Sequence, residues 1–250
     1  MTELSNQIDA KAFELRQELV TMIQDRATNT PRSLQRELGP SDFSHPCMRR
    51  LAYGIMEVER SNPEFDCLPS VIGTAVHSWL DDTATRANNQ LGRIRWLTET
   101  RVNPTDWLSG SSDLFDLDTG TVIDHKVLGA ASFKKNKKSL NIQYRNQIQI
   151  YGLGFERAGH TVNHVGAMLI PKSGLLTGAY LHLEPYNRAH AEAVLARRET
   201  VLILLNDLRV EENPEMFKVF EKSGPSCMFC KYFAPNPQTP LQCEGVDDDY

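Results

Sequence analysis

The stretch Gly110-Ser111-Ser112-Asp113-Leu114-Phe115-Asp116-Leu117-Asp118-Thr119-Gly120-Thr121-Val122-Ile123-Asp124-His125-Lys126-Val127 decides how this chain is read. It holds two short runs rich in β-branched and aromatic residues, separated by Asp118-Thr119-Gly120, a strong hairpin signal. With Arg93 to Val102 before it, closed by Asn103-Pro104, the segments Trp107 to Leu117 and Thr121 to Val127 read as a three-strand meander. Side chains alternate along a strand, so Asp124 and Lys126 project to one face while Ile123 and Val127 point to the other. The hairpin folds the Asp113 strand back on the Asp124 strand and makes the two acids cross-strand neighbours. Two carboxylates and an amine at one spot suit phosphodiester hydrolysis. A hard divalent cation takes oxygen ligands there, and a lysine stabilises the negative transition state. An acid-x-Lys triplet is common by itself, so the surrounding chain has to carry weight.

Upstream, Gln7 to Gln24 spaces its apolar residues as an amphipathic helix, and a turn-rich stretch with Pro31, Gly39 and Pro40 follows. A short helix is expected after Cys47, through Met56. A loop around Pro63 and Pro69 then opens a longer helix over Gly73 to Asn88, with His77 beside its apolar side. Downstream, Lys134, Lys135, Lys137 and Lys138 form a basic loop, and Leu140 to Ala158 returns to helical spacing with Gly159 as its C-cap. Gln147 and Tyr151, four apart, share a face of that helix. Two more strands, Val162 to Ile170 and Thr177 to Leu183, precede a helix over Asn187 to Leu208. The tail is proline-rich, holds three cysteines and ends in Asp247-Asp248-Asp249. The organisation expected is an N-terminal helical segment over 1–46, an α/β core over 47–210 and a cysteine-containing segment over 211–250.

Of the 250 residues 40% are hydrophobic and 24% charged, a globular balance, and no apolar run reaches the roughly 18 residues a bilayer span needs. No membrane association is expected. Met1 to Arg26 lacks the basic start and apolar centre of a secretory signal, which points to the cytoplasm. A net charge of −5 excludes a protein that coats nucleic acid through diffuse positive charge. A carboxylate metal site with a local basic track remains compatible with that charge. Five cysteines in a reducing compartment direct attention to metal ligation. Cys227-Met228-Phe229-Cys230 is a CxxC pair with Cys243 behind it, and Cys47 is the preferred fourth ligand, with Cys67 its rival. Thiolate-only sites serve both zinc and iron.

Taken in order, Gly73-x3-His77, Gly110-x2-Asp113, Asp124-x-Lys126 and Gln147-x3-Tyr151 resemble the RecB-like branch of the PD-(D/E)XK nucleases, over roughly Cys47 to Gly159. The resemblance implies a restriction-endonuclease-like core, a central mixed β-sheet flanked by helices. It makes His77, Asp113 and Asp124 ligands to Mg²⁺ or Mn²⁺, together with the carbonyl of His125. Lys126 becomes catalytic, and Gln147 and Tyr151 support the site. Where this chain has Asp124 many relatives carry Glu. One N-terminal cysteine with three C-terminal ones, Cys47 in a Cys-x-Arg-Arg context, resembles the iron–sulfur members, the CRISPR-associated adaptation exonucleases and AddB-type nucleases. There a [4Fe–4S] cluster joins the chain ends; structural Zn²⁺ is the alternative. The Cys230 to Cys243 gap is longer than the usual spacing.

The function so implied is a metal-dependent DNA exonuclease acting on ends or single strands, in phage or CRISPR-type processing. An endonuclease and a non-catalytic DNA-end-binding subunit are the alternatives. A homo-oligomer or a recombination partner protein is compatible. The four lysines of 134–138, with Arg49 and Arg50, are the expected DNA contacts. Trp79, Trp96 and Trp107 are expected in the core rather than as base-stacking platforms.

Overall fold

A computed structural model describes residues 2–29, 38–62, 66–224 and 227–246. Pro31, Pro63 and the acidic run Asp247 to Asp249 lie outside the described residues. Four helices come first: α1 (Thr2–Thr28), α2 (Pro40–Ser44), α3 (Met48–Ile55) and α4 (Leu68–Leu91). The meander β1 (Trp96–Thr105), β2 (Leu108–Asp116) and β3 (Thr121–Leu128) follows, then α5 (Ala130–Lys138), α6 (Ile142–Arg157), β4 (His164–Pro171), β5 (Tyr180–Pro185) and α7 (Arg188–Asp207). The strands form one sheet in chain order, antiparallel throughout except for the parallel β3–β4 pair. The chain is α/β, with a five-stranded mixed sheet flanked by helices.

The parallel pair arises because α5 and α6 intervene between β3 and β4, a crossover that a two-residue turn cannot make. Helix α6 is buried from Asn146 to Phe155, and it packs on β1, β4 and β3. Val102, Phe115, Val122, Ile148, Phe155 and Val165 form the core beneath it, with Phe115 and Phe155 stacked at 4.3 Å. A second core, around Leu51, Tyr53, Ile150, Leu195 and Phe217, joins α3, α6 and α7 to the tail. Among the described residues no helix is long and apolar enough to cross a membrane.

Three sequence expectations change. Residues 134–138 are not a loop but the second half of α5. Ala130 and Ala131 favour helix, lysine is itself a good helix former, and lysines in the last turn complement the helix dipole. Phe133 packs against the core and Asn136 is buried, so this segment has an inner side as well. Helix α4 begins at Leu68, because Pro69 fits the first turn and needs no N–H partner there, so Gly73 is internal and does not open the helix. The tryptophans are not core residues as a group. Trp79 is 62% exposed, and Trp107 lies at the surface between Phe43 and the Arg198 guanidinium.

Candidate active site

The β2–β3 ladder pairs Asp116 with Thr121, Phe115 with Val122 and Leu114 with Ile123, and ends there. Strand β3 continues alongside β4 as far as Leu128. A fork therefore opens between β2 and β3, directly at Asp113 and Asp124, where backbone donors of β3 no longer face β2 carbonyls. The Asp113 carboxylate fills part of that gap: its Oδ2 accepts the His125 N–H at 2.6 Å. Its Oδ1 lies 3.2 Å from Nδ1 of His77, supplied by α4. Burial works against charge on Asp113, and the His77 and His125 contacts outweigh it, holding the carboxyl below its usual pKa. His77 is shifted up in return, chiefly by that same bond.

Asp124 is 2% exposed, its Oδ2 pairs with Lys126 Nζ at 2.8 Å, and burial raises its pKa against the pull of that ammonium. Burial opposes the charge on Lys126, yet Asp124 and, further off, Asp113 raise its pKa above the ordinary lysine value. The ammonium is thus permanently charged at neutral pH. It also donates to Gln147 Oε1 at 2.8 Å and sits 4.8 Å from the centre of the Tyr144 ring, both on α6. Gln147 Nε2 reaches the Tyr151 hydroxyl at 3.5 Å. The helical i, i+4 spacing of Gln147 and Tyr151 places both on the face of α6 that covers Lys126.

His125, one residue along β3, points away from Asp124 and towards α4. Its ring meets that of His77 edge-on, centroids 5.9 Å apart. Burial lowers its pKa, so the ring is neutral and able to ligate. The side-chain donors of His77, Asp113 and His125 lie within 4.8 Å of one another. Two imidazoles with the Asp113 carboxylate form a mixed nitrogen and oxygen donor set; Asp124 stands outside that group, its pKa raised by burial against the opposing pull of the Lys126 ammonium. These residues fit a divalent cation. The His125 ring was not among the sequence candidates, which considered its carbonyl. Tyr144 was also missed, although its position seven before Tyr151 on an already identified face is a usable signal.

His77, Asp113, Asp124, Lys126, Gln147 and Tyr151 line one cleft of about 1270 Å³. Gly110 lines it too, and an added Cβ there would meet the Pro40 ring at 2.6 Å, so only glycine lets α2 close over β2. Lys134, Lys135, Lys137 and Lys138 do not line this cleft; Lys137 instead lies 5.6 Å from the Tyr180 ring. Arg49 is turned inward, 7% exposed, and donates to the carbonyls of Phe220 and Lys218. It clasps the tail to α3 and does not face solvent.

Cys47, Cys227, Cys230 and Cys243 line one small cavity between α3 and the tail, and Cys67 lies apart at the start of α4. The Arg50 N–H points at the Cys47 sulfur and the Gly245 N–H at that of Cys243, at 3.3 and 3.4 Å. Among the described residues no three cysteine sulfurs lie within 4.8 Å of one another.

No protein-family model matches the sequence, and no curated protein matches it. Among solved structures, the chain is similar to a phage related exonuclease from Haemophilus somnus 129PT, with 11% identity and a TM-score of 0.44, over 66% of this chain and 82% of that one. It is similar to an alkaline exonuclease from Laribacter hongkongensis, with 13% identity and a TM-score of 0.39, over 57% and 73%. The structure of SSO0001 covers 82% of this chain and 95% of its own at 18% identity, with a TM-score of 0.44. These are likenesses of outline at low identity.

Proposed function

We propose that this chain is a metal-dependent deoxyribonuclease that digests DNA from ends or in single strands. The observation that carries the reading is the fork. Asp113, bound to His77, and Asp124, paired with Lys126 at 2.8 Å, line one cleft where β2 and β3 part. His77 and Asp113, with Asp124 as the further ligand that the resemblance implies, would hold Mg²⁺ or Mn²⁺, which when bound supplies charge to polarise a phosphate and to acidify water. Lys126, kept protonated by its carboxylate neighbours, offers fixed positive charge to the oxygens of the scissile phosphate as negative charge builds there. Gln147 restrains the ammonium.

The cysteine cavity supports a second, structural element of the reading, a [4Fe–4S] cluster held by Cys47, Cys227, Cys230 and Cys243. Backbone N–H groups directed at two of the sulfurs suit thiolates. Thiolate-only sites serve iron and zinc alike, so the metal content separates the two. Anaerobically purified protein should be brown if the cluster is present, and colourless with zinc content would reject it.

The hydrolytic reading is tested with end-labelled DNA, with and without Mn²⁺. Wild-type protein should degrade it only with metal, and Asp124→Ala and Lys126→Ala should each lose activity by about 10³-fold. Undiminished cleavage by both variants would sink the assignment.

A further inference from the structure

Among the described residues, helix α1 contributes nothing to either hydrophobic core. Leu15, Leu19, Met22 and Ile23 are each 46–61% exposed, and Ala12 is exposed beside them. Ala12, Leu15, Leu19 and Met22 recur at alternating steps of three and four, the spacing that lines up one seam along a helix, and Ile23 widens it. A seam left in water does little to hold its helix, since most helical stability in a protein comes from burying an apolar face. The pattern therefore points to a covering partner.

The charges beside the seam select that partner. Lys11 and Glu18 stand on one flank and Asp9 and Arg16 on the other, all four exposed, so each flank carries a cation and an anion seven residues apart. In an antiparallel pair of identical helices, like flank meets like flank with its order reversed. Lys11 then faces Glu18 of the second copy, Asp9 faces its Arg16, and Ala12 of each chain stacks on Leu15 of the other. In a parallel pair unlike flanks meet, and Lys11 comes beside Arg16 of the second copy, a like-charge contact made twice. A membrane surface or nucleic acid would select a basic polar face, whereas residues 9–26 hold four acids against three bases.

We propose that α1 is a dimerisation element that pairs with a second copy of this chain as an antiparallel two-stranded coiled coil. The pairing does not depend on the nuclease reading. The 27 residues of α1 make a rod of about 40 Å, and each chain runs on from its Thr28 end, so the two chains leave the pair at opposite ends.

The test is sedimentation equilibrium of the full-length protein across a concentration series, with thermal unfolding verifying that the core of each variant is folded. Wild-type protein should move from the mass of one chain to that of two. Leu15→Glu combined with Leu19→Glu puts acids into the seam and should leave a monomer at every concentration. Lys11→Glu and Glu18→Lys should each weaken the dimer about tenfold, because each replaces two attractive contacts by two repulsive ones, and combining them should restore wild-type affinity. A dimer tightened by Lys11→Glu would show the parallel arrangement and overturn the antiparallel one, as would unchanged affinity in both single charge variants. A wild-type monomer throughout, any larger assembly, or a dimer that survives the double leucine substitution overturns α1 as the dimerisation element. The readout needs no DNA, so a failure of the nuclease reading leaves this result standing.

Discussion

At the fork, the bond between His125 N–H and Asp113 spans 12 residues of chain. At the clasp between α3 and the tail, Arg49 reaches Phe220 across 171 residues and the Tyr53 hydroxyl reaches Pro240 across 187. Closing the longer loop costs about 2 kcal/mol more in chain entropy. The fork meets its smaller cost through strand register, which also buries Phe115 and Val122. The clasp has side-chain to backbone hydrogen bonds and one aromatic cluster of Tyr53, Phe217 and Tyr232. The candidate site lies on the part that local pairing already holds, and the cleft wall bearing Lys231 lies on the part closed by long-range contacts.

That contrast makes separable predictions. Asp113→Asn should reduce hydrolysis by about 10³-fold, worth about 4 kcal/mol of barrier, and leave the unfolding midpoint nearly unchanged, because the amide oxygen still accepts the His125 N–H. If midpoint and activity fell together, the fork would be a structural site. Arg49→Ala should do the reverse, destabilising by about 3 kcal/mol in urea unfolding, because it strips the Phe220 and Lys218 carbonyls of a charged donor. Its cleavage rate per folded molecule should change far less than that of Asp113→Asn.

Acid should also act on the clasp. Burial, with Arg50 and Arg197 adding, lowers the His45 pKa to about 4, and its Nδ1 accepts the N–H of Cys47. The folded state resists a proton that the unfolded chain takes up near the ordinary histidine value. This contribution is therefore complete above pH about 6.5 and lost as pH falls towards about 4. Stability should drop by about 2 kcal/mol between pH 7 and pH 5, in round figures. In His45→Gln the same acid step should cost measurably less, and an identical drop would remove His45 from the account. The smallest effect is expected at Trp79, where substitution by Ala at an exposed helix position should shift stability by less than about 0.5 kcal/mol. A larger loss would mean that its face of α4 is covered in solution.

Much of the sheet was legible before any coordinates, because period-two alternation and the Asp118-Thr119-Gly120 turn are local signals. The three meander strands lie within a few residues of the segments read for them. The lysine run was misread because charge suggests solvent, whereas α5 needs only one inner side, which Phe133 and Asn136 provide. In the site, the common face of Asp124 and Lys126 follows from strand geometry alone, and the shared face of Gln147 and Tyr151 from helix geometry alone. The approach of α4 to the fork, which brings His77 onto Asp113 and beside the His125 ring, has no local signature.

The sequence by itself determined the hairpin, its turn and the face on which Asp124 and Lys126 stand. Each depends only on dihedral preferences and side-chain periodicity over a few residues. The tertiary structure alone decided that β2 leaves β3 at Asp113, that Arg49 turns inward, and that Lys231 comes to 3.8 Å from Asp42. These are contests between packing, desolvation and loop closure across the whole chain, and no window of sequence contains all the competitors.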